Sequence, residues 1–180
     1  MHQLETERLF LRPFAWEDLS VHHRLIGSDP QVTWNKKALT LEESEAALKR
    51  RMQHWVEHGF GMWVVEEKAS GSLLGHAGLQ MLEATEDIEL GYYFGRPAWG
   101  RGIATEAGAA CVRYGFETLG LEQILAVVRP ENQGSQRVLS KLGFQHARDA
   151  YHYGFDVQVW RIGRTEFQLF GATYLKHKTT

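Results

Sequence analysis

Between Trp99 and Ala107 the chain reads W-G-R-G-I-A-T-E-A, a segment whose residue types suit the capture of an anion. Glycines at 100 and 102 lack a Cβ, so the backbone there can approach a ligand closely and take up φ > 0. A helix-compatible run follows at once. The first N–H groups of a helix have no partner within it and carry the positive end of its dipole. Phosphate or pyrophosphate is the occupant this chemistry favours. Two common phosphate motifs are missing. No Gly-Lys-Ser/Thr completes a Walker A loop, and Gly100-Arg101-Gly102 lacks the third glycine and the early position of a dinucleotide fingerprint. Alone, the segment reads as either a phosphate loop or a plain tight turn.

Other reactive residue types point to less. Cys111 falls on the small apolar stripe of a predicted helix, which favours a core thiol over a nucleophile. His54 and His58 have the i, i+4 spacing of a metalloprotease helix, but H-W-V-E-H lacks the glutamate at its second position and a third ligand. His22-His23 and His146/His152 form no better set, so no metal is expected.

The elements that would carry the glycine segment can be read from periodicity. Arg8 to Arg12 alternates charged and apolar residues, as a half-buried strand does. Trp16 to Ile26 reads as a short helix, and Gly27 to Lys37 as a loop. Thr40 and Glu43 make a capping box for a helix running to about Glu57, with Leu41, Leu48, Met52, Trp55 and Val56 on its apolar face. The basic run Lys49-Arg50-Arg51 reads as the solvated side of that helix. Strands follow at Met62–Glu67, Leu73–Leu82 and Asp87–Phe94, the last leading into the glycine segment. Ile103 to Leu119 is a helix ended by Gly120, with a stripe of Ala104, Gly108, Cys111, Val112, Gly115 and Leu119. Leu121–Val128 is a buried strand. Asn132 caps the next helix, and Gln145–His152 and Phe155–Ile162 are two closing strands. Glu83, Glu86 and Asp87 fall in a hairpin turn.

A chain of 180 residues with 43% hydrophobic and 23% charged residues is expected to be one α/β domain with a mixed sheet. Net charge of −2 gives no support for nucleic acid or an anionic membrane as partner. No apolar run approaches the ~18–20 residues of a membrane span. The N-terminus lacks an apolar signal region, and a single cysteine suits a reducing compartment, so a cytoplasmic location is expected.

Taken in order, E-T-E-R-L-F-L-R-P near the N-terminus, I-E-L-G-Y-Y-F, the glycine segment and N-Q-G-S-Q-R-V-L-S-K-L-G-F at Asn132–Phe144 resemble the GNAT superfamily of acetyl-CoA-dependent N-acetyltransferases. The nearest branch is that of the ribosomal-protein-alanine (RimJ/RimL-type) acetyltransferases. The resemblance runs from Glu5 to about Phe167. It implies a single α/β (α+β) domain over 1–167, with a tail over 168–180. The central sheet would be mixed but mostly antiparallel, of about seven strands, flanked by helices and splayed at the cofactor cleft.

What the resemblance implies for the site follows position by position. Trp99, Gly100, Arg101, Gly102, Ile103 and Ala104 would cradle the CoA pyrophosphate, with Thr105 adding a hydroxyl. Tyr92, Tyr93 and Phe94 would meet pantetheine through backbone groups, with Asn132 and Lys141 also at the cofactor. Asn132 serves equally as a helix cap. The family's loop often carries Arg or Gln where Pro97 stands here, and Arg96 is the nearest substitute. Glu89 aligns with the strand glutamate used as general base. The tyrosine many relatives use as general acid is replaced by Leu139, which leaves Ser135 as the candidate donor to the departing sulfur. Trp34 and Tyr153 would border the acceptor.

The implied activity is transfer of acetyl from acetyl-CoA to a primary amine by direct attack in a ternary complex. The acceptor is a protein N-terminus, or alternatively a small amine or antibiotic. A non-catalytic acyl-CoA-binding module is the remaining reading, kept open by the missing tyrosine. No metal is implied, and the protein is expected as monomer or homodimer.

Overall fold

The computed structural model describes residues 2–168; apart from position 168, the expected C-terminal tail lies outside the described residues. Eight strands form: β1 Leu4–Glu5, β2 Leu9–Pro13, β3 Met62–Glu67, β4 Leu73–Met81, β5 Ile88–Phe94, β6 Gln123–Val128, β7 Gln145–His152 and β8 Phe155–Gly163. The helices include α1 Leu19–His22, α2 Leu41–His58, α3 Ile103–Glu117 and α4 Gln133–Lys141, and residues 164–168 are also helical. The strands hydrogen-bond in the order β1-β2-β3-β4-β5-β6-β8-β7. Pairing is antiparallel for β1–β2, β2–β3, β3–β4, β6–β8 and β7–β8, and parallel for β5–β6, where Glu89 stands opposite Leu125. The strand beyond the expected seven is β1, whose two residues are too few to show a period.

Contacts divide the described residues into two compact units, one drawn from positions 2–80 and 91–111 and the other from 81–90 and 112–168. In the first unit, Leu9 and Leu11 of β2 are fully buried while Phe10 and Arg12 alternate with them, as the R-L-F-L-R pattern requires. The Thr40–Glu43 capping box forms: Glu43 N–H donates to Thr40 Oγ1 at 3.1 Å and Thr40 N–H to Glu43 Oε2 at 2.7 Å. Of the expected apolar face of α2, Leu48 and Trp55 are buried, but Leu41 and Val56 are 53% and 74% exposed. The inward stripe is therefore narrower than the residue types suggest.

Two further expectations are corrected in this unit. The helix expected at 16–26 is a 3-10 turn, one turn of α1 and a π turn over His23–Gly27, closed by Ser28 N–H on the His23 carbonyl at 2.8 Å. The widened turn brings Gly27 against Ser44 of α2, where a Cβ would clash. Arg51 does not lie on a solvated face. Its guanidinium sits 5.7 Å over the Phe14 ring and 3.4 Å from His76 Nε2, and its Nη1 is buried without a hydrogen-bond partner among the described residues. The buried His22 and His76 rings share a 2.8 Å hydrogen bond, and Tyr93 stacks on His76.

In the second unit, Ile124, Leu125, Ala126 and Val128 of β6 are buried, and β6 pairs with β8 along its length. Leu82, Leu125 and Val159 form a core cluster against which Val127, Ala150 and Tyr153 pack. On α4 the expected cap is present, with Ser135 N–H donating to Asn132 Oδ1 at 3.1 Å, and Leu139 is buried. On α3, whose residues up to Cys111 belong to the first unit and those from Val112 to the second, the small-residue stripe is broader than expected. Ala104 and Leu119 are partly covered, while Ile103, Ala107, Tyr114 and Phe116 join the buried set. Cys111 is fully buried and burial pushes its thiol far up, which makes it a core residue.

Candidate active site

In the first unit the chain leaves β5 and turns at once. Pro97 stands in the first turn of the 3-10 segment Arg96–Ala98, where a missing N–H costs nothing. The Trp99 indole Nε1 donates to the Phe94 carbonyl at 2.7 Å, folding the turn back on the strand end. Gly100 and Gly102 have φ of +71° and +76°, which L side chains rarely adopt, and a Cβ on Gly100 would meet nothing within 4 Å. The helical ladder of α3 opens with Glu106 N–H on the Gly102 carbonyl at 3.0 Å. The amides ahead of it form the open first turn that can receive an anion. An open glycine face beside a helix start fits a pyrophosphate-bearing substrate.

The turn is braced by the N-terminal motif. Glu106 accepts from Thr6 Oγ1 at 2.6 Å, from the Arg8 amide at 2.9 Å and from Arg8 Nε at 2.6 Å, while Arg8 Nη1 donates to the Arg101 carbonyl at 3.0 Å. Burial alone would raise the Glu106 carboxyl; the hydrogen bonds from Thr6 and Arg8 outweigh it and hold the group below its ordinary value. The arginine side chains near the turn are engaged within the protein. Arg101 pairs with Glu67, and Arg96 grips Asp29 through two bonds of 2.6 and 3.0 Å. The substitute role considered for Arg96 therefore competes with Asp29, and the backbone is the stronger feature of the cradle.

In the second unit, Glu89 lies on β5 with 3% exposure, so it is a buried carboxylate and not a residue of a solvated strand face. The Tyr153 hydroxyl donates to Glu89 Oε1. That hydroxyl accepts the Glu83 amide at 3.2 Å, and the Tyr153 amide donates back to the Glu83 carboxylate. Ser135 is half-buried in the first turn of α4, its amide on the Asn132 cap, whereas Asn132 and Lys141 are exposed. An exposed asparagine with its Oδ1 on the helix start supports the capping role directly.

The remaining candidates lie in the first unit. Tyr92 and Trp34 are half-buried, Phe94 is buried with its carbonyl on Trp99, and the Tyr93 ring lies on His76. Sequence reasoning missed Thr6, Arg8 and Glu106 as braces, though E-T-E-R was in view, and treated Glu83 as a turn residue only. Among the described residues no group of three His, Cys, Asp or Glu is placed to hold a metal, and no helix is long and apolar enough to cross a membrane.

The acetyltransferase (GNAT) domain model matches residues 8–145. N-acetyltransferase p20 of Bacillus licheniformis is 34% identical over 149 residues, covering 81% of this chain and 83% of the relative. An acetyltransferase of Agrobacterium tumefaciens str. C58 superposes with a TM-score of 0.81 at 27% identity, over 91% of this chain and 95% of that one. Mycobacterium smegmatis RimJ, solved with a CoA disulfide, shares the fold with a TM-score of 0.71 at 23% identity, over 88% and 83% of the two chains. The chain belongs to the GNAT acetyltransferase family. It is accordingly an acyltransferase that takes acetyl-CoA as its donor.

Proposed function

We propose that the protein transfers an acetyl group from acetyl-CoA to the α-amine of a protein N-terminus, by direct attack in a ternary complex. The observation that carries this reading is Glu89, a buried carboxylate on the strand where the family places its base, with a hydroxyl donor on one oxygen. An ammonium group is not nucleophilic, so the acceptor must lose a proton before it attacks. In the proposed reaction the amine nitrogen bonds to the thioester carbonyl carbon and Glu89, directly or through water, takes the amine proton. The C–S bond then breaks as the adduct nitrogen sheds its remaining excess proton, and the departing sulfur receives a proton from solvent or from the Ser135 hydroxyl, which regains one from the nitrogen or from solvent.

Donor binding is assigned to the glycine turn, with backbone amides from Gly100 to Thr105 on the pyrophosphate. Tyr92, Tyr93, Phe94, Asn132 and Lys141 are assigned to the rest of CoA, and Trp34 to the acceptor. The functional domain is taken as residues 1–167. The peptide acceptor is supported by the shared fold with RimJ, and a cytoplasmic setting by the single buried cysteine.

The test measures CoA thiol release from acetyl-CoA with peptides bearing free N-termini, N-blocked peptides, polyamines and aminoglycosides. Turnover with free N-termini only, lost in Glu89→Gln, is expected. Turnover with small amines in place of peptides would reassign the acceptor. CoA binding without turnover on any amine would leave a binding module.

A further inference from the structure

Tyr153 occupies a position its residue type does not suit. The register of β7 and β8 pairs His152 with Phe155, leaving a two-residue hairpin loop of Tyr153 and Gly154. Their φ values are +53° and +82°, as a type I′ turn needs at both central residues. Asparagine or aspartate is the ordinary first residue of such a turn, because a bulky side chain at positive φ is strained. Something else holds the tyrosine there, and the contacts show what. The ring packs on Leu82, Leu125 and Val159, its hydroxyl donates to Glu89, and Glu83 grips it at both the hydroxyl and the amide.

We propose that Tyr153 is the positioning residue of the Glu89 base, with the hairpin tip and the Glu83 turn acting together as its clamp. The inference rests on Glu89 being that base. A carboxyl group this buried, opposite the apolar Leu125, needs a hydrogen-bond donor to satisfy and aim it. The Glu83 amide, by donating to the phenol oxygen, polarises the O–H toward Glu89. Ionisable groups around the clamp include the Glu83 carboxylate on the Tyr153 amide, Asp87 with the Gln123 amide, and the His152 ring 6.5 Å from the Tyr153 ring. From β6 the facing residue is the apolar Leu125; from β8 the apolar Val159 lies against the clamp, and the charged Arg161, opposite Leu125 in the register, stands on the same sheet face. Tyr153 acts through Glu89 and takes no part in bond making.

Two variants separate this role from a structural one. Tyr153→Phe keeps the ring and removes the donor. It should lower kcat by about 10- to 100-fold near neutral pH, leave the KM for acetyl-CoA unchanged, and move the acidic limb of the rate profile to higher pH, with activity recovering as pH rises. Tyr153→Asn relieves the turn but gives up the ring packing on Leu82, Leu125 and Val159, so it should melt lower and be inactive even at temperatures where it is folded. Glu89→Gln should be crippled, and adding Tyr153→Phe to it should cost nothing more. A Tyr153→Phe profile superimposable on the parent's, with Glu89→Gln inactive, would overturn the clamp and leave the base standing. A fully active Glu89→Gln would overturn both.

Discussion

Arg8, in the bend just ahead of β2, and Glu106 in the first turn of α3 meet at 2.6 Å, and through them the N-terminal segment holds the glycine turn in shape. The same carboxylate also takes the Arg8 amide and the Thr6 hydroxyl, so three donors converge on one side chain. A cradle made of backbone amides has no side chains of its own to orient it. Its geometry has to be set by neighbours, and this carboxylate is the neighbour that sets it.

Glu106→Ala should therefore loosen the turn without touching the assigned base. Losing charge-assisted hydrogen bonds and stranding their donors should cost about 1–2 kcal/mol of stability, the exposure of Arg8 keeping it at the low end. The KM for acetyl-CoA should rise several-fold with little change in kcat. Equal KM values in the two proteins, measured at a temperature where both are folded, would detach the brace from donor binding.

Gly100→Ala tests the cradle itself. Placing alanine at φ +71° costs about 1–2 kcal/mol of backbone strain. Gly120 has φ of +72°, and a Cβ there likewise meets nothing within 4 Å, so Gly120→Ala is a control with the same strain and no assigned ligand. CoA should raise the melting temperature of the parent and of Gly120→Ala, because a ligand that binds only the folded state stabilises it by mass action. The shift should vanish in Gly100→Ala. A shift retained in both variants would place the pyrophosphate elsewhere.

How far the sequence carried these assignments depended on what kind of signal each residue leaves. Element order was legible because strand alternation, the Thr40–Glu43 box and the Asn132 cap are local patterns. Glu89 and the glycine turn stand out as candidates because they sit inside compact motifs. The Glu83–Tyr153–Glu89 clamp was not legible. Its hydroxyl contact joins positions 64 apart in sequence, and nothing in Y-H-Y-G announces a strained tyrosine reaching back to β5. Arg51 was misread for a related reason. In a run of three basic residues on an amphipathic helix, composition says solvent, and only the packing of Phe14 and His76 turns one of them inward.

Ser135→Ala asks whether the missing helix tyrosine has a replacement. The cap bond is made by the Ser135 amide and survives the substitution, so folding should be preserved. If the hydroxyl supplies the proton to the departing sulfur, kcat should fall by ~10²-fold at constant CoA affinity. Unchanged kcat would hand that proton to solvent.

The buried His22–His76 pair should make stability fall on mild acidification, before the carboxylates respond. Burial, reinforced by the nearby Arg51 charge, pushes His22 down to about 3 from an ordinary value near 6.5, and His76 is displaced in the same direction. Between those values the unfolded chain binds protons that the folded chain refuses, so stability rises with pH across that window and is lost as pH falls through it. Glu106 and Asp18 respond later. Asp18 is also held below its ordinary value, its burial being outweighed by bonds from Arg12 and the Ala15 amide, and both carboxylates contribute stability that is lost only below about 4.5, the unfolded Glu value. The melting temperature should therefore decline from about pH 6.5 downward and steepen below pH 4.5. Arg51→Met removes a cation that burial itself lowers to about 10, and it should not reduce stability at neutral pH, since no carboxylate partners the guanidinium among its described contacts. It should also flatten the decline between pH 6.5 and 4.5, because protonating His22 no longer meets a neighbouring positive charge. A decline of equal slope in Arg51→Met would leave burial as the sole cause, and a parent protein whose melting temperature is constant down to pH 4.5 would show that the two histidines are not held neutral in the core.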